Sequence, residues 1–353
     1  MGIEKIDKNF IVNRDAGSEL KYYSLPNPLF DVYGVTYDYE KNVFVRMDLS
    51  VAKSVNPVLE YLATYSAGGR IKFATDSKNL TITVTYTELA IMPQMAMLAQ
   101  SGFALLEETD EGQKFVGILP PRAGDKTGFT ASIKLSGEMK NYVLYMPLYN
   151  QVKTMSIGLD ATSTVKNGLP YKDVLPILYY GSSITQGGCA SRSDNSYESM
   201  ICKWNNIDYV NLGFAGNGKA EPLMCEYLSK INCSLFVCDY DHNAPNDKYL
   251  KQTHYPLYKK FRENQPSTPI IFVSRPDYFG SVEEDNCYKV IRATYNKAKK
   301  DGDKNVYLID GRKFFKGVLN CTMTDRSHPN DFGFYLMAQT IYKTMCKIDK
   351  KFK

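Results

Sequence analysis

The chain has 353 residues, 44% of them hydrophobic, and sets 43 Lys and Arg against 38 Asp and Glu for a formal charge of +5. That length accommodates two ordinary domains, and the composition excludes a disordered chain. The small, scattered charge argues against a nucleic-acid partner, and no run approaches the ~18 apolar residues of a membrane span.

The opening MGIEKIDKNF lacks the apolar core of ~7–15 residues that a secretory signal needs. Ile6 also stands where myristoylation at Gly2 would want Ser or Thr. To about Leu169 the chain reads as all-β. NVFVRMDL, RIKFATD, LTITVTYT, GFTASIKL and KNYVLYMPLY alternate or run apolar and are rich in β-branched and aromatic residues. Turn signals at Gly68-Gly69, Asp76-Ser77 and Gly124-Asp125 separate them. Short strands without intervening helices predict a sandwich or jelly roll.

Between Thr162 and Lys172 the pattern changes. PILYYG, DYVNLG, SLFVCDY, PIIFVSR and NVYLID then alternate with amphipathic stretches near 196–205, 221–230, 247–264, 284–300 and 333–347. Repeated βα units predict a parallel sheet covered on both faces, with ligands at the carboxyl ends of its strands. The expected domains are 1–169 and 170–353. The basic tail Lys347–Lys353 reads as a frayed, solvated end. Eight cysteines, all from Cys189 onward and without a CxxC pair, read as buried free thiols. With no leader in view, a cytoplasmic protein is expected.

The chemistry-bearing residues follow the strands. After the first parallel strand comes Gly181-Ser182-Ser183-Ile184-Thr185-Gln186-Gly187, where a serine held out from the sheet can act as nucleophile. A base for it must come from three histidines: His242, His254 and His328. His328 lies in Asp325-Arg326-Ser327-His328-Pro329, where Asp325 can reach the far nitrogen of the imidazole and fix its tautomer. Asn211–Gly218, NLGFAGNG, can aim a backbone N–H at an oxyanion, and Asn243 can add a side-chain amide.

These segments, in this order, resemble the SGNH/GDSL hydrolase superfamily, and within it the branch with a GSSITQGG motif and an N-terminal β-sandwich. The resemblance implies a C-terminal three-layer α/β/α, flavodoxin-like domain with a five-stranded parallel sheet, and a jelly-roll-like N-terminal domain. It implies Ser183 as nucleophile, His328 as base, Asp325 as its partner, and an oxyanion hole from Ser183, Gly216 and Asn243. It implies a serine esterase acting on short-chain esters of a small molecule or carbohydrate, O-acetyl groups above all. No metal or organic cofactor is expected, and a homo-oligomer is open. The chain departs from the pattern in three places. Ser182 replaces the usual Asp, no Asp follows Asn243, and Gly102-Phe103-Ala104-Leu105-Leu106 stands where the β-domain carries Gly-x-Asp-Leu-Tyr. The second departure leaves room for Asp241 or His242 to enter the site.

Three alternatives use the same residues differently. An acyltransferase would keep the whole site and change the acceptor. A glycan-binding protein would use the 27 tyrosines for stacking. A P-loop nucleotide binder is suggested by Gly213–Ala220, GFAGNGKA, although Ala220 stands where a Mg²⁺-binding hydroxyl is needed.

Overall fold

The computed structural model describes residues 19–353; the MGIEKIDKNF segment, read above as no export signal or lipidation site, lies outside them. The chain forms two compact units. One comprises residues 19–45, Thr64–Pro170 and Ser191–Asp194; the other comprises Arg46–Ala63, Tyr171–Ala190 and Asn195–Lys353.

The first unit is an antiparallel sandwich. One sheet orders strands Leu20–Ser24, Thr154–Asp160, Asn79–Thr85 and Gly128–Lys134. The other runs Val165–Asn167, Arg70–Thr75, Lys140–Tyr145, Phe103–Thr109 and Gly112–Leu119, with Asp31–Tyr33 also paired to Arg70–Thr75. Period-two alternation sets the faces. Leu80, Ile82 and Val84 enter a core shared with Ile71, Phe73, Phe103, Leu105 and Leu144 of the opposite sheet. Their neighbours Thr81 and Thr83 pair across strands with Ser132 at 2.8 Å and Thr130 at 3.1 Å. In the GFALL segment, Ala104 and Leu106 take the face away from that core and pack with Val143 and Tyr145. An apolar cluster therefore occupies the positions where the signature has its acid and tyrosine.

The stretch read as wholly β contains three helices, the single turn Met97–Gln100 and a pair between Leu49 and Ala63. Only Val43–Val45 of NVFVRMDL is a strand. Asp48 then caps helix Leu49–Val55 by accepting from Ser50 N at 2.7 Å and Val51 N at 3.2 Å. Pro57 opens a second helix, Pro57–Ala63. Local capping overrides the β-branched composition here.

The second unit is built on five parallel strands: β1 (Ile177–Gly181), β2 (Tyr209–Gly213), β3 (Leu235–Asp239), β4 (Ile270–Val273) and β5 (Val306–Ile309), in the order β2-β1-β3-β4-β5. The helices between and after them are α1 (Tyr197–Asn205), α2 (Pro222–Lys230), α3 (Asp247–Asn264), α4 (Val282–Lys300) and α5 (Asp331–Ile348). Side-chain caps start four of the five. Ser281 and Glu284 form a capping box on α4, and Asn330 accepts from Phe332 N and Gly333 N, both at 3.1 Å, at the start of α5. Helix α1 packs with α5, while α2, α3 and α4 pack in succession. Strand order reverses between β1 and β3, so the crevice where such sheets bind ligands opens beyond their carboxyl ends.

The C-terminus is not frayed. Asp349 caps the turn Lys350–Phe352, Phe352 is fully buried, and Lys172 Nζ donates to Lys353 O at 2.6 Å. One aromatic side chain outweighs the surrounding lysines. None of the eight cysteines is in a disulfide, and six are buried; Cys321 is exposed and Cys346 half-buried. Among the described residues no helix is long and apolar enough to cross a membrane.

Candidate active site

Ser183 follows the switch-point strand β1 directly. Ser182 is extended and accepts from Ile184 N at 3.1 Å, capping the single helical turn Ser183–Gln186. Ser182, where the family pattern has Asp, thus does the work of a cap. Gly187 ends the turn in the left-handed region, and Gly188 N returns to Ser183 O at 2.8 Å. Gly181 is required by close approach, since a Cβ there would overlap the Asp239 carboxylate and Thr185 Oγ1.

His328 arrives from a loop that does not follow β5 immediately. A 3-10 turn at Gly311–Lys313 and a helix at Leu319–Thr322 intervene. The loop is pinned as a small hairpin: Met323 bridges Pro329, Thr324 N donates to His328 O at 2.9 Å, and Asn330 N donates to Thr322 O at 2.9 Å. His328 Nε2 lies 2.9 Å from Ser183 Oγ, and Nδ1 lies 2.9 and 3.2 Å from the two Asp325 oxygens. Asp325 Oδ1 also accepts from Ser327 N and His328 N, each at 2.7 Å. Partial burial raises the Asp325 carboxyl, but those bonds and the His328 ring outweigh it and hold it below the ordinary range.

The loop after β2 brings Gly216, at φ +67°, with open space where a side chain would stand. It is fixed from below. Tyr180 OH accepts from Ala220 N at 2.7 Å, and Gln186 Oε1 accepts from Ala215 N at 3.0 Å. Arg46, from the unforeseen helical segment, is buried. It donates to Gly213 O at 2.6 Å, Asn211 O at 3.2 Å and Leu62 O at 2.7 Å, and stacks on Phe214 at 4.6 Å. Asn243 sits in a 3-10 turn after β3 and gives one N–H to Phe214 O at 2.8 Å. Its amide carries a second N–H.

Asp241 and His242 do not join the Ser183–His328 pair. Asp241 is buried and accepts from Arg275 N at 3.1 Å. His242 Nδ1 lies 3.3 Å from Asp277, which Arg275 grips with two nitrogens at 2.8 and 2.5 Å. His254, the third histidine, is enclosed by Tyr240 and Phe272, and burial pushes its pKa down to about 3, so it is a neutral core residue. The P-loop alternative loses its helix. Ala220 is left-handed, and α2 starts only at Pro222 after the extended Glu221.

Other residues at this site carry no signal in the pattern. Asp239 closes β3 and is fully buried. It accepts from Thr185 Oγ1 and, at 3.1 Å, from Tyr197 OH. Burial exceeds those bonds and raises it to about 8, so it holds a proton at neutral pH. Glu198 is likewise pushed up by burial. Cys189, buried in left-handed backbone, has its thiol pushed to about 12 by burial and the Asp325 charge.

Chemically, the arrangement sets a hydroxyl against a ring nitrogen and the other nitrogen against an anion. Residues 174–346 match the family model described as GDSL-like lipase/acylhydrolase, and residues 20–165 match the N-terminus of SGNH-hydrolase-type esterases. No curated protein sequence matches. Among solved structures, one described as a GDSL-like lipase from Bacteroides ovatus ATCC 8483 is 27% identical, with 94% of this chain and 98% of that one covered and a TM-score of 0.84. The salicylyl-acyltransferase SsfX3 of a tetracycline biosynthetic pathway shares the fold at 16% identity, 93% and 97% coverage and a TM-score of 0.75. An acetyl xylan esterase, Est2A, from Butyrivibrio proteoclasticus does so at 13%, 95% and 100%, and 0.61.

Proposed function

Because the chain belongs to the GDSL-like lipase/acylhydrolase family through residues 174–346 and is therefore an ester-hydrolysing enzyme, we propose that it removes short acyl groups, acetyl above all, from carbohydrate hydroxyls through an acyl-enzyme on Ser183. The observation that carries this reading is the 2.9 Å approach of His328 Nε2 to Ser183 Oγ with Asp325 on the opposite nitrogen.

His328 takes the Ser183 proton as Oγ attacks the ester carbonyl. Asp325, ionised and fixed by two backbone amides, stabilises the imidazolium. The N–H groups of Ser183 and Gly216 and the free amide hydrogen of Asn243 receive the oxyanion. His328 then protonates the departing sugar hydroxyl. A water activated by the same imidazole releases acetate. A short acyl group is supported by the loops after the strands, which carry Gly, Ser and Asn and no long apolar lid. The carbohydrate is supported by the shared fold of the acetyl xylan esterase.

The test is a panel of nitrophenyl esters of increasing chain length and of acetylated sugars, run on the wild type and Ser183→Ala. Acetyl release that is lost in Ser183→Ala is expected. Undiminished turnover in the variant removes Ser183 from the mechanism, and a preference for long chains removes the acetyl assignment.

A further inference from the structure

The turn that presents Ser183 continues through Gly187 and Gly188 to Cys189, whose backbone is left-handed at φ +73°. Side chains seldom tolerate that region, and here it delivers a thiol to the Asp–His pair. Cys189 Sγ, a carboxylate oxygen of Asp325 and a ring nitrogen of His328 all lie within 4.8 Å of one another. No other group of three or more His, Cys, Asp or Glu among the described residues comes together this closely.

Thiolate, imidazole and carboxylate are the donors that zinc uses, and three of them with a fourth position open define its reactive sites. Bonds of ~2.0–2.3 Å at tetrahedral angles place the ligand atoms roughly 3.3–3.7 Å apart. Closing from 4.8 Å or less needs a movement of about 1 Å, within the reach of side-chain rotation. We propose that Cys189, Asp325 and His328 form a binding site for a thiophilic divalent cation of the zinc class, and that occupancy switches the enzyme off.

The exchange balances simply. The thiol loses its proton to solvent as the metal–sulfur bond forms, since a coordinated thiol is deprotonated outright. Asp325 contributes an existing lone pair. His328 binds through Nδ1, the nitrogen that faces Asp325, and its single ring proton moves to Nε2. With Nε2 protonated against Ser183 Oγ, His328 no longer accepts the Ser183 proton. The inhibition rests on the hydrolase reading; the binding does not.

The two are therefore measured separately. Cobalt(II) titrated into Ser183→Ala, which cannot turn over, should give visible bands of a tetrahedral ion and a near-ultraviolet thiolate charge-transfer band, saturating at one ion per chain and displaced by zinc. Cys189→Ala and Cys189→Ser on that background should lose the charge-transfer band, with circular dichroism and melting confirming that they are folded. A missing band in Ser183→Ala, or a band that survives in the folded cysteine variants, overturns the site. In the wild type, zinc should inhibit ester hydrolysis and EDTA should restore it. Cys189→Ser should need at least tenfold more zinc for half-inhibition. Equal sensitivity of the two proteins, or binding without inhibition, overturns the switch.

Discussion

Replacing Asp325 with Asn tests the site more sharply than removing the residue. Asp325 Oδ1 accepts two backbone N–H groups at 2.7 Å, from Ser327 and His328, while Oδ2 faces His328 Nδ1 at 2.9 Å. An asparagine must keep its oxygen on the two amides, because the reverse orientation aims its NH₂ at two N–H donors. The NH₂ then faces Nδ1, which becomes an acceptor and moves the ring proton to Nε2, against Ser183 Oγ. The base is present, correctly placed and in the wrong tautomer. The loss of kcat should reach about 10³–10⁴, or about 4–5.5 kcal/mol of barrier. Asp325→Ala leaves the part-exposed ring free to choose its tautomer, so Asn should fall at least as far as Ala in kcat. Because Asn preserves the turn, it should melt closer to the wild type than Ala does. Steady-state hydrolysis of nitrophenyl acetate and a thermal melt of both variants decide the matter. Asparagine activity within tenfold of wild type would refute the tautomer argument and with it the proposed role of Asp325.

Asn243→Ala should lower kcat by about 10²–10³ with little change in KM, and a loss below threefold would show that another donor serves the oxyanion. Arg46→Lys should lower stability by about 2–4 kcal/mol in a denaturant titration, because an ammonium cannot meet three separate carbonyls and a ring face at once; a change under 0.5 kcal/mol would show that the loop does not depend on it. Asp239 has a folded pKa of about 8 against an ordinary 3.8. The folded chain therefore keeps a proton that the unfolded chain releases, and stability falls as pH rises from about 4 to about 8, by roughly 5 kcal/mol at most. Asp239→Asn should flatten that slope in melts taken across the window; Glu198, raised in the same sense, leaves some of it in place. An unchanged slope in the variant would mean that Asp239 is ionised when folded.

The parallel sheet was legible because its evidence is local and repeated. Each strand is a short apolar run, and four of the five helices start at a residue type that caps helices. The helical pair at 49–63 was not legible. VFV leads into it, and the deciding features are a single Asp cap and a single proline. The C-terminal turn was missed for a related reason. Charge density around Lys350 and Lys351 speaks for solvent, and only the burial of Phe352 speaks against it.

The same distinction separates the site residues that could be read from those that could not. Ser183, Gly216, Asn243, Asp325 and His328 lie in loops and single turns beyond the strands, where residue type reflects chemistry or turn geometry, so an unusual residue stands out. Arg46, Thr185, Tyr197, Asp239 and Glu198 act from inside the fold, where their neighbours come from remote parts of the chain. Asp239 at the end of an apolar strand looks like any strand terminus until Thr185 and Tyr197 close over it. Arg46 looks like one more scattered cation until its guanidinium meets the carbonyls of a strand far along the chain. Both are polar groups held away from water, whose cost is tolerated only with partners in place. Their positions thus depend on the same packing that aims the loops, and substitutions at Arg46 or Asp239 test the support of the site independently of its chemistry.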